Sequence, residues 1–125
     1  SLCSFKFSRY TIVKENQGFD NWQIITEGNA TFTSGTHIHG PLSVGGNLII
    51  NSAGSKVEVN MDNTGTYTFP GDAVSTGLLV QGGVTFTSGY MGVLSNRLIH
   101  IGNSTGLSSG DNGNNSATQV YVILT

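Results

Sequence analysis

Apolar residues in this chain fall into short runs of β type. The runs occupy residues 5–13, 22–26, 42–44, 48–50, 57–61, 78–80, 84–87, 98–101 and 120–124, and Gly, Asn or Pro separates most of them. Brief runs with that punctuation predict strands joined by tight corners. No window carries a helical period with caps; residues 9–17 are the one place that would also accept a short helix.

One motif returns along the pattern. Ala30-Thr31-Phe32-Thr33-Ser34-Gly35 recurs as Val84-Thr85-Phe86-Thr87-Ser88-Gly89. Thr66-Tyr67-Thr68-Phe69-Pro70-Gly71 is a looser copy. Leu48-Ile49-Ile50-Asn51-Ser52-Ala53-Gly54 is another, with one residue inserted, and a degraded copy follows at Asn103-Ser104-Thr105-Gly106. The bulky centres Phe32, Ile50, Tyr67 and Phe86 stand 18, 17 and 19 residues apart. An apolar strand and a glycine corner precede four of these copies: Ile24-Ile25-Thr26-Glu27-Gly28-Asn29, Leu42-Ser43-Val44-Gly45-Gly46-Asn47, Leu78-Leu79-Val80-Gln81-Gly82-Gly83 and Leu98-Ile99-His100-Ile101-Gly102-Asn103.

A unit this short cannot hold a core alone, so its copies must stack. The predicted fold is all-β: a compact β-solenoid (β-helix) of about five coils with flanking N- and C-terminal strands. The repeat core runs over residues 22–106, within one domain spanning 1–125. A β-sandwich is the alternative, because short strands at this spacing also suit that fold. In the stacked arrangement Phe32, Ile50, Tyr67 and Phe86 point inward in one column. Thr31 with Ile49, Thr66 and Thr85 makes one outward row, and Thr33 with Asn51, Thr68 and Thr87 a second, at rungs about 4.8 Å apart. The corner glycines are expected to supply φ > 0.

Those Thr-x-Thr rows are the leading binding face: Thr31, Thr33, Thr66, Thr68, Thr85 and Thr87, with Tyr90 as an exposed aromatic beside them. Rigid rows of hydroxyls and methyls can match an ordered surface such as ice or a polysaccharide crystal with little entropy lost on binding. Thr is also simply a good strand residue on a solvated face. His37 and His39 share one face of an extended segment at workable metal-ligand spacing, but no Cys, Asp or Glu adjoins them, so they are weak candidates and no cofactor or metal is expected. Asp111-Asn112-Gly113-Asn114 is a faint calcium-loop likeness without a closing Glu. Asn29-Ala30-Thr31, Asn103-Ser104-Thr105 and Asn114-Asn115-Ser116 fit the glycosylation pattern. Trp22 lies in an apolar run and suits core packing.

Composition narrows the function. The net charge is -2 and only 10% of residues are charged. With no basic run, a nucleic-acid partner is not expected. No apolar stretch approaches the ~20 residues of a membrane span, so membrane insertion is not expected either. The lone Cys3 cannot staple the fold from within and is a candidate for an intermolecular disulfide. The acidic residues Glu15, Asp20, Glu27, Glu58, Asp62, Asp72 and Asp111 form no sequence-close pair with a matching base, so an enzyme is not expected.

The combination of Thr11-Ile12-Val13, Glu27-Gly28, Leu42-Ser43-Val44-Gly45-Gly46-Asn47 and Leu78-Leu79-Val80-Gln81-Gly82-Gly83 resembles the choice-of-anchor A family, over roughly residues 5–105. The resemblance implies an extracellular or cell-surface adhesive β-solenoid and brings no catalytic residues. The expected function is a non-catalytic structural or adhesive module presenting a flat repetitive face to an extracellular surface, a glycan or other copies of itself. Ice or ordered-surface binding through the Thr rows is one alternative. Self-assembly as a homo-oligomer or filament, using the terminal strands and Cys3, is the other.

Overall fold

The computed structural model describes residues 4–6, 11–13, 21–62, 66–94, 97–103 and 121–123. They form β1 (Ser4–Lys6), β2 (Thr11–Val13), β3 (Ile24–Thr26), β4 (Ala30–Phe32), β5 (Thr36–Ile38), β6 (Leu42–Val44), β7 (Leu48–Val59), β8 (Thr76–Val93), β9 (Leu98–Asn103) and β10 (Tyr121–Ile123). The protein is all-β with almost no helix, and its main sheet curls strongly into a half-barrel. β1 and β2 pair antiparallel in a two-stranded sheet of their own, so residues 11–13 are strand and not helix.

The other eight strands form one sheet in which every pairing between strands is parallel. One band has five rungs. Ile24 lies beside Leu42, Leu42 beside Leu78, Leu78 beside Ile99, and Ile99 beside Tyr121. The C-terminal strand therefore extends the stack, as the strand-like residues 120–124 suggest. A second band brings β4 and β5 onto β7, and β7 onto β8. β8 is one continuous strand that serves both bands, and this is where the sheet folds around.

Two kinds of burial follow. In the second band inward and outward residues alternate: Leu48 and Ile50 are fully buried, while Ile49 is half-buried and Asn51 exposed. Such alternation marks a sheet with one wet face. In the first band consecutive residues are all buried, at Leu42–Val44 and again along Leu78, Leu79 and Val80. Their inward side chains join the main core with Val57, Val59, Met91 and Val93. Their outer side is covered by a second cluster in which Trp22, Phe69 and Leu79 pack with Ile25 and Tyr67.

That second cluster corrects the repeat reading. Phe32, Ile50 and Phe86 do share one column, but Ile50 meets Phe86 directly and Tyr67 is not between them. The copy at 66–71 leaves the stack because its Pro70 lacks the N–H that a central strand must donate. The Asp72 amide instead donates to the Phe69 carbonyl at 3.1 Å, with Gly71 at φ 91°. Pro followed by a left-handed Gly is a type II turn, not a rung.

The corner glycines are also explained differently. The left-handed glycines among the described residues are Gly54, Gly71 and Gly89, not Gly28, Gly46, Gly82 or Gly102. The corner glycines lie one above another, with the Gly46 amide donating to the Gly28 carbonyl at 3.0 Å and the Gly82 amide to the Gly46 carbonyl at 2.9 Å. A Cβ on Gly46 would stand 2.4 Å from Asn29 Oδ1, one on Gly82 2.1 Å from Asn47 Oδ1, and one on Gly102 2.0 Å from the Gln81 carbonyl. Space, not φ, requires glycine at positions 46, 82 and 102, whereas a Cβ on Gly28 would meet nothing within 4 Å.

Candidate functional site

The outward face of the second band is built by alternation alone. Phe32, Ile50 and Phe86 pack on the core, so their neighbours must point away from it. Thr31 pairs with Ile49 and Ile49 with Thr85, giving one straight Thr-Ile-Thr row. Thr31 and Thr85 are exposed and Ile49 is half-buried. Asn29 and Asn47 flank this row on one side and Thr33, Asn51 and Thr87 on the other, all exposed. None of these side chains is charged.

The second expected row is not straight. A register shift after Ile50 sets Asn51 opposite Ser88 instead of Thr87. The Thr87 hydroxyl turns to donate to the Ile50 carbonyl at 3.2 Å. The middle segment takes the corner with extra chain. Between the Phe32/Ile50/Phe86 column and the Thr36/Val57/Met91 column, the three paired segments advance 4, 7 and 5 residues. The surplus bulges at exposed Ala53 and Gly54, both in the left-handed region. Ser52, buried beneath, donates to the Ser55 carbonyl at 2.6 Å. Thr66 and Thr68 belong to neither row. They are exposed on the segment that covers the first band.

Tyr90 is exposed too, but beyond the Gly89 corner and beside Lys56, so it stands on a different facet from Thr31 and Thr85. On that facet His37 Nε2 lies 3.0 Å from Glu58 Oε1, and Lys56 Nζ lies 3.7 Å from Glu58 Oε2. His39 pairs with Asp62 at 2.5 Å. Parallel pairing thus gives each imidazole its own carboxylate from the adjoining segment, which the sequence distance had hidden. Among the described residues no three or more His, Cys, Asp and Glu side chains are grouped to hold a metal. His100 has a different partner, with its Nε2 2.9 Å from Asp72 Oδ2. Cys3 and the Asp111-Asn112-Gly113-Asn114 turn lie outside the described residues, as does Asn114-Asn115-Ser116.

Sequence reading missed what holds this outward face level. Asn29 Oδ1 accepts from the Asn47 amide at 2.7 Å, and Asn47 Oδ1 accepts from the Gly83 amide at 3.0 Å. Each Asn thereby fixes the corner of the adjoining segment, and Asn29 serves this contact within a triplet that fits the glycosylation pattern. The repeated Gly-Asn pairs at 28–29, 46–47 and 102–103 carried the signal.

A family model described as "Putative Ice-binding-like adhesive domain" matches residues 15–122 of this chain. The match agrees with the adhesive character implied by the Gly-Gly-Asn segments, but it is not to the choice-of-anchor A family. No curated protein and no solved structure matches the chain.

Proposed function

The chain belongs to this ice-binding-like adhesive domain family, and from that premise we propose that it is a non-catalytic, extracellular adhesive module. Its coils form a compact β-solenoid. Parallel pairing supports this over a sandwich, whose neighbouring strands would run antiparallel. The adhesive surface is the charge-free face centred on Thr31, Ile49 and Thr85. The observation that carries the reading is their single in-register row on the outward side of a column that packs on the core. The acidic side chains Glu58, Asp62 and Asp72 each face a different histidine, in keeping with a structural and not a catalytic use.

The face is small. Three rungs about 4.8 Å apart and five residues at about 3.3 Å each span roughly 10 by 13 Å. A stable interface needs about 800 Å² per partner, so one face binds weakly and adhesion depends on many copies. The partner chemistry that fits is an ordered hydroxyl-rich solid, such as crystalline polysaccharide. Beads coated densely with the protein should hold to microcrystalline cellulose or chitin where the free monomer washes off. Thr85→Lys should release the beads, and retention by Thr85→Lys beads would refute this face.

Ice is the second reading, favoured by the Thr-Ile-Thr row and by the family description. Thermal hysteresis or faceted ice growth that Thr85→Lys removes would support it. No ice shaping at millimolar protein would reject it.

A further inference from the structure

We propose that residues 66–75 are an acid-released cover, latched by His100 to Asp72 over the outer face of the first band. The covered face is built in register from Ile25, Ser43, Leu79 and His100. Trp22, Tyr67, Phe69 and the His100 imidazole run across it, with successive ring centroids 5.5, 4.8 and 4.9 Å apart. The cover is hinged where the Thr76 amide donates to the Tyr67 carbonyl at 2.8 Å. It is tied where His100 Nε2 meets Asp72 Oδ2 at 2.9 Å.

His100 is 2% exposed, so a proton on it must be carried in a largely apolar place. Burial lowers its proton affinity, and the Asp72 hydrogen bond and charge oppose that without cancelling it. The cover contributes Asp72 and Tyr67, whose phenol burial keeps neutral. Trp22, Ile25, Ser43, Phe69 and Leu79 do not titrate.

The sign follows from where the proton prefers to bind. An opened cover leaves His100 in water with an ordinary pKa near 6.5, above its value when closed. The open form therefore takes up protons first. Closure is at full strength above about pH 6.5 and weakens as pH falls from there toward the lowered value, by at most about tenfold per pH unit. The device thus responds within the range that separates neutral from mildly acidic surroundings.

Trp22 is the single Trp of the chain and is 6% exposed, so its emission reports the cover. Acidifying the protein from about pH 7.5 to about pH 5, above the ordinary carboxylate range, should shift Trp22 emission reversibly to the red while the far-ultraviolet β signal holds. His100→Gln should lose that pH dependence. Unchanged emission, loss of the β signal together with the shift, or the same shift in His100→Gln would overturn the proposal. Hydrogen exchange on the unaltered protein gives an independent reading. After correction for intrinsic rates, amides of residues 66–76 should lose protection in acid while those of β7 keep it. Equal protection at both pH values would overturn it as well.

Discussion

Replacing Gly82 by Ala tests the packing account of the corners directly. Gly82 is outside the left-handed region, so its backbone suits Ala. On conformational grounds alone the change should stabilise by about 0.4–1 kcal/mol, by restricting the unfolded chain. The structure demands the opposite. The added Cβ would sit 2.1 Å from Asn47 Oδ1 and 2.9 Å from the Gly46 carbonyl, one of them backbone that cannot swing aside. Displacing Asn47 breaks its bond to the Gly83 amide, a loss of about 0.5–1.5 kcal/mol. Overpacking between two coils adds about 1–3 kcal/mol. Net destabilisation of about 2 kcal/mol should lower Tm by roughly 5–10 °C. Gly28→Ala is the matched control in the same column, because a Cβ there meets nothing within 4 Å. It should leave Tm unchanged or raise it slightly. Thermal unfolding followed by circular dichroism decides the matter: equal Tm for the two variants would refute the close-approach argument.

Other substitutions probe separate layers. Ile50→Ala removes the fully buried side chain between the partly buried Phe32 and Phe86 and should cost about 2–5 kcal/mol, read as a lower urea midpoint. Thr85→Lys lies on an exposed position and should change stability by no more than about 0.5 kcal/mol while abolishing adhesion of coated beads. Phe69→Ala removes the ring between Tyr67 and His100, so Trp22 emission should shift to the red already at neutral pH with the β signal intact. Ser52→Ala deletes the hydroxyl that braces the middle coil's bulge and should cost about 1 kcal/mol in urea unfolding.

Local pattern and period were enough to reveal most of the strands, though not the one at Thr36–Ile38, together with the stacking of the Thr31 and Thr85 motifs and the inward column of Phe32, Ile50 and Phe86. Those features depend on side-chain alternation and on residues one period apart, both of which are written along the chain. The burial of both faces at Leu78-Leu79-Val80 and Ile99-His100-Ile101 was not read from the sequence. Which segments stack and which one covers them was settled only in three dimensions. The 66–71 copy has the spacing of a rung, yet its Pro-Gly turn and its aromatic rings are more stable laid across the outer face, where Leu79 and Trp22 wait. The partners of His37, His39 and His100 are equally non-local, since each carboxylate lies 21 to 28 residues away and is delivered by the fold. A repeat fixes what is equivalent along the chain. Only packing decides which equivalents touch, because that choice is made by the surface area each alternative removes from water.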